Sequence, residues 1–213
     1  MIYEIPLSWV EALEPKINKF LRKWLGLHKS LSSVALYCKD TPCSLPLSSV
    51  VTEFKKRKVG AYLQLKESRD STVSENVPLL YTGRKWQVEE AVEQAESDIW
   101  ISQVRGYTQQ GNQGFGSRNK FQKKDTHRSK VTKAVGKVEN NNLYTRAAQQ
   151  SLQGQWTRWE RIVQRDMSFH RLLRSSPKLL SFTLGATFGT VGSPSNLKRW
   201  GLTDDESCPL CIA

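Results

Sequence analysis

One stretch of this chain has no means of joining a core. From Gly106 to Ser117 the sequence runs Gly-Tyr-Thr-Gln-Gln-Gly-Asn-Gln-Gly-Phe-Gly-Ser. Glycine and glutamine at this density offer no apolar face and make ordering costly in backbone entropy, so residues 106–127 read as a flexible linker and a domain boundary. With 213 residues in all, each side holds at most one small domain. Hydrophobic residues make up 38% and mean hydropathy is −0.52, low for a single core of this length, so packed pieces joined by disordered stretches are expected.

The periodicity is helical throughout, and the expected fold class is mostly α. Trp9, Leu13, Ile17, Phe20, Leu21 and Trp24 recur at helical spacing, with Ser8 and Glu11 as a capping box, Gly26 as the stop and Pro15 as an interior kink. Trp24 on the apolar face of this helix is expected in the core, with Lys16, Lys19, Arg22 and Lys23 as the basic back. Residues 28–46 read as a loop. A helix over 48–68 carries four consecutive cations, Lys55 to Lys58, which wrap around it and so face more than one way. Residues 69–86 are turn-rich, and 87–104 form a helix. A weakly helical basic stretch covers 128–153. Over 155–173, Trp156, Trp159, Ile162 and Val163 mark a buried face, with Arg158, Arg161 and Arg165 in one stripe. Pro177 opens a buried helix to about residue 186.

Charge is strongly localised. The net charge is +12, which favours a polyanionic partner: RNA, DNA or an acidic membrane surface. Residues 111–174 hold 14 Lys/Arg against 4 Asp/Glu, so +10 of the excess lies there. The segment is either a solvated basic tract or an ordered nucleic-acid contact. Trp86 and Trp200 adjoin Arg84-Lys85 and Lys198-Arg199, which suits either packing or base stacking beside phosphate contacts.

The four cysteines bear on metal chemistry. Cys208-Pro-Leu-Cys211 has the spacing with which one tight turn grips zinc, but a structural site needs four ligands. Cys38 and Cys43 would complete it only by long-range closure; the alternative is half of a zinc site, weak on its own. Met1 leads into Ile-Tyr-Glu-Ile-Pro, with no basic region followed by an apolar run as in a secretory signal, and no stretch reaches the ~20 apolar residues of a membrane span, so an intracellular location without a membrane partner is expected. No Gly-x-Ser-x-Gly, phosphate loop or His-Glu-x-x-His occurs. Asp204-Asp205 is the one Asp-Asp doublet, and it reads as a solvated loop rather than a two-metal centre.

An ordered series of blocks carries a resemblance: Lys19-Phe-Leu-Arg-Lys-Trp-Leu-Gly-Leu27, Leu31-Ser-Ser-Val-Ala-Leu-Tyr37, Leu45-Pro-Leu-Ser-Ser49, Glu53-Phe-Lys55, Ser68-Arg-Asp70, Thr82-Gly-Arg-Lys-Trp86, Trp156-Thr-Arg-Trp-Glu160, Pro194-Ser-Asn-Leu-Lys-Arg-Trp-Gly201 and Cys208-Pro-Leu-Cys211. The series resembles non-LTR (LINE-type) retrotransposon polyproteins that carry a restriction-enzyme-like endonuclease at the C-terminus. The resemblance implies a reverse-transcriptase-thumb-like helix over 1–30, a helical linker over 31–105 and a basic helical linker over 128–200. Residues 201–213 would be the first half of a Cys-Cys-His-Cys zinc knuckle. Thr190-Val-Gly-Ser-Pro194 departs from the family's Leu-Pro-x-Pro lead-in.

The resemblance further implies a truncated polyprotein segment, nuclear, that binds RNA and DNA without catalysis of its own. Zinc would belong to the parent family. The nucleic-acid contacts expected are Lys16, Lys19, Arg22, Lys23, Arg84, Lys85, Arg158, Arg161 and Arg165. A free-standing nucleic-acid-binding adaptor and a decayed gene fragment are the alternative readings.

Overall fold

The computed structural model describes residues 5–75, 80–109 (backbone only over 103–109), 126–160 and 165–207. The protein is mostly helical, as its periodicity demands. In chain order the elements are α1 (Leu7–Trp24), α2 (Ser33–Tyr37), β1 (Cys43–Ser44), α3 (Val50–Lys66), α4 (Ser71–Glu75), α5 (Val88–Gln109), α6 (His127–Ala148), a 3₁₀ turn (Gln155–Arg158), β2 (Arg165–Asp166), α7 (Phe169–Arg174), α8 (Pro177–Thr187) and α9 (Pro194–Arg199).

The chain forms two compact units, and the division does not fall at the glycine-rich stretch. Unit 1 comprises Met1–Glu14 and Ser49–Glu139; unit 2 comprises Pro15–Ser48 and Asn140–Ala213. Of the expected linker 106–127, the first four residues continue α5 and residue 127 opens α6, while 110–125 lie outside the described residues. Both units therefore draw chain from the two sides of that stretch. The reason is apolar: Val88, Val92 and Ala95 of α5 share one buried cluster with Val131 and Val135 of α6 and with Val59 and Leu63 of α3. A composition shift marks where a segment has no core to offer, not which flanking helices pair.

In unit 1, Gly60 of α3 faces the Thr132 methyl and Gly136 of α6 faces the Lys56 stem, so each glycine leaves room for a side chain of the other helix. The Ser49 side chain caps α3 by accepting from Thr52 N at 3.3 Å, and it donates to Glu14. The start of α1 is tied down where Leu7 N donates to Thr82 O at 2.8 Å. The helix begins one residue before Ser8, which puts Ser8 inside it and rules out the capping box. Pro15 does not interrupt α1, which runs unbroken from Leu7 to Trp24.

The run Lys55 to Lys58 is mostly used internally. Lys55 Nζ lies 2.8 Å from Glu139, with both side chains largely buried, and 5.6 Å from the centre of the Trp86 ring. Lys56 pairs with Glu53 at 2.8 Å, Lys58 lies over Phe54, and Arg57 is exposed. Replacing Glu139 with Gln leaves the Lys55 ammonium buried without a counter-charge and should cost unit 1 about 2 kcal/mol by urea denaturation. The double change Lys55→Met with Glu139→Leu should recover most of that loss, because an apolar pair of similar volume needs no charge compensation. A Glu139→Gln loss below about 0.5 kcal/mol would show that the pair is solvated.

Unit 2 is built around Trp156, which is fully buried with Leu36, Leu184 and Phe188. Its ring meets Tyr144 edge-on at 5.6 Å and Phe188 at 6.2 Å. Residues 28–46, expected as a loop, hold α2 and β1 and supply much of this core: Leu31, Val34, Ala35, Leu36, Tyr37, Cys38 and Leu45 are all buried. The likeness of 69–86 to a turn region is interrupted by α4.

The expected helix over 155–173 does not form as one element: among the described residues there, only the α7 residues from Phe169 on are α-helical. Gln155–Arg158 form a single 3₁₀ turn, Trp159 is extended, and Arg165–Asp166 pair as a parallel strand with Cys43–Ser44. Two features set this geometry. A side chain at Gly154 would stand 1.9 Å from Ala147 O, so only glycine lets the chain turn there, and Trp156 fills the core at once after that turn. At Gly26 the backbone sits at φ 66°, closing α1 in the left-handed conformation that favours glycine.

Candidate nucleic-acid interface

Helix α1 turns its aromatics outward. Trp9 is 73% exposed, Phe20 70% and Trp24 57%, with Leu13 also exposed, while Leu7, Val10 and Asn18 are buried and Leu21 packs on the unit 2 core. The expectation that Trp24 belongs to the core is corrected: its face of the helix is solvent-facing. The lysines do not lie opposite the aromatics either. At 3.6 residues per turn, Lys16, Phe20, Lys23 and Trp24 fall within a strip about 100° wide, with Lys19 at its margin. All five are exposed, all lie in the unit 2 part of the helix, and none of the three lysines pairs with a carboxylate among the described residues.

Arg22 lies on the other side and has a different task. Its Nε donates to Leu31 O at 2.8 Å, fastening the turn after α1, and burial lowers its pKa from the ordinary guanidinium value. It is a structural arginine rather than part of the exposed strip.

The remaining expected contacts scatter. Arg84 is exposed, and Lys85 pairs with Glu11 at 3.2 Å, both in unit 1. Arg158 is exposed at the 3₁₀ turn beside Trp159, itself half exposed rather than core. Arg165 sits on β2 at the rim of a cleft of about 210 Å³, shared with Arg171 and Cys43. Arg158 and Arg165 are therefore not on one helix, and Arg161, Ile162 and Val163 lie outside the described residues. The Trp86 ring is covered by Lys55, which is the packing alternative for that residue. Trp200 remains partly exposed after α9.

Cys208 and Cys211 lie outside the described residues. Cys38 and Cys43 are buried free thiols whose pKa values burial pushes up, which disfavours the thiolate a metal requires. Among the described residues, no group of three His, Cys, Asp or Glu side chains could hold a metal ion. The Asp205 carboxylate accepts from Ser207 Oγ at 2.5 Å and from Ser207 N at 2.8 Å, which holds its pKa below the usual carboxylate value in an exposed turn. No helix of the described residues is long and apolar enough to cross a membrane.

The units differ in charge. Unit 2 carries 15 Lys/Arg against 6 Asp/Glu, a net +9 of the chain's +12. The aromatic–lysine strip therefore lies on the electropositive unit. Reading the helix as a wheel would have found it, because Lys16 and Lys23 interrupt the apolar face instead of facing it.

No family model, no curated protein and no solved structure matches this chain.

Proposed function

We propose that this chain binds nucleic acid without catalysing its chemistry, as a segment of a non-LTR retrotransposon polyprotein. The observation that carries the binding is the exposed strip of Lys16, Lys19, Phe20, Lys23 and Trp24 on the unit with most of the net charge. Unpaired lysines suit phosphate oxygens, and exposed aromatic faces suit bases, a combination used to hold nucleic acid with little sequence preference. The polyprotein context rests on the ordered sequence blocks from Lys19 to Cys211.

Such binding must release counterions. The whole chain, titrated against a short labelled RNA and a labelled duplex DNA between about 50 and 200 mM salt, should show log K falling linearly with log salt. Three lysine contacts alone set slopes of at least about −2.1 on the single strand and −2.7 on the duplex. No binding at about 50 mM salt, or an affinity indifferent to salt, would refute the proposal.

A further inference from the structure

Immediately after α1 the chain passes along a groove of about 480 Å³ within unit 2, floored by buried Leu27 and Leu31 and edged by His28, Lys178, Ser181 and Phe182. Phe182 is 61% exposed on α8, an uncommon placement for a large aromatic, and one helical turn earlier Lys178 is exposed on the same helix. Neither the lysine nor the Ser181 hydroxyl has a partner among the described residues.

His28 is oriented for the same space. Its Nδ1 lies 2.6 Å from Ser30 Oγ and 3.3 Å from Ser30 N, which holds the ring and leaves Nε2 without a partner among the described residues. The turn that holds His28 is pinned from elsewhere in unit 2. Gln153 accepts from Ser32 N at 2.7 Å and donates to Ser30 O at 2.8 Å, and Gln150 donates to Ser32 Oγ at 2.9 Å. The groove thus has an aromatic wall, an apolar floor, and the Ser181 hydroxyl and His28 Nε2 beside a cation, without partners among the described residues.

We propose that this groove holds one unpaired base of a single-stranded nucleic acid, with Phe182 as the stacking face and Lys178, beside the His28 ring, taking the adjoining phosphate. This rests on the nucleic-acid-binding reading and adds that the preferred ligand is single-stranded. Charge complementarity argues for that occupant: unit 2 is net positive, and Lys23 lies three residues before the Gly26 edge of the groove. The bases of a duplex are stacked on one another and present no free face to Phe182, whereas a single strand does.

The experiment compares the whole chain with Phe182→Leu, Phe182→Trp and Lys178→Gln on a labelled single-stranded RNA and a labelled duplex at the same salt. Loss of one stacked base should weaken single-strand binding of Phe182→Leu about 5- to 150-fold, with the duplex changed less than about twofold. Phe182→Trp should retain the single-strand affinity, since indole stacks at least as well. Lys178→Gln should flatten the single-strand salt slope by about 0.7. Thermal unfolding of the leucine variant checks the fold, and the tryptophan variant keeps the proposal testable should leucine disturb α8. Equal losses on both ligands, or none on either, would overturn the groove while leaving the α1 interface intact. No binding of the unaltered chain to either ligand would overturn both.

Discussion

Changing Lys16, Lys19 and Lys23 together to Gln is expected to remove most of the chain's nucleic-acid affinity at physiological salt. Each phosphate contact contributes about 0.9 to the slope of log K against log salt on duplex and about 0.7 on a single strand, so the slope should flatten by about 2.7 and 2.1 units. If affinity extrapolated to 1 M salt is unchanged, the loss at about 0.15 M salt is roughly 170-fold on duplex and 50-fold on single strand. The effect is large because the three ammonium groups are exposed, unpaired among the described residues and carried on one helix beside Phe20 and Trp24. The matched control changes Arg57, Lys130 and Lys137 to Gln, the same loss of charge from exposed positions of unit 1. It should weaken binding by well under about tenfold, through the general field alone. Equal losses in the two variants would mean that the chain acts as a diffuse polycation, and the α1 strip would lose its special role.

Trp156→Ala is expected to be the most destabilising of the single changes considered, at about 3–5 kcal/mol. The indole is fully buried and contacts Tyr144 and Phe188 edge-on, so truncation leaves a large cavity and removes two aromatic pairs. Its Nε1 is buried without a hydrogen-bond partner among the described residues, which makes Trp156→Phe informative. That change removes an unsatisfied polar group along with some volume, and it should cost only about 1 kcal/mol. Hydrogen exchange would separate the units. Amides of α2 and α8 should lose protection in the alanine variant, while those of α3 and α5, whose cluster shares no residue with that of Trp156, should keep theirs. Uniform loss across α3 and α5, or a cost below about 1 kcal/mol, would contradict two separate cores.

Trp156 also shows where sequence reasoning failed, and why. It was rightly expected to be buried, but on a helix running from 155 to 173 with Trp159 at its side. Spacings of three and four residues among the tryptophans and arginines fit a helix on paper. The chain instead makes one 3₁₀ turn after Gly154, where Ala147 O leaves no room for a side chain, and it is extended at Trp159. That steric limit comes from the end of α6, seven residues earlier, where the chain folds back on Ala147 O, and apolar periodicity carries no sign of it. Residues 28–46 failed for the opposite reason: prolines and serines suggested a loop, whereas the apolar run from Leu31 to Tyr37 is the heart of unit 2.

The sequence by itself determined the mostly helical class, the long helices α1, α3, α5 and α6 to within a few residues, the Gly26 stop and the Pro177 start. These follow from periodicity, turn residues and capping, all local. It also located the positive excess and the lysines of α1. Which side of α1 meets solvent was decided by the tertiary structure, because an amphipathic pattern identifies a face but not what covers it. The units were decided there too. The valines of α5, α6 and α3 meet across a glycine-rich stretch, and α1 passes from one unit to the other at Pro15. Core formation selects surfaces that fit together regardless of their separation along the chain, and that selection assembled the aromatic–lysine strip and the groove beside it.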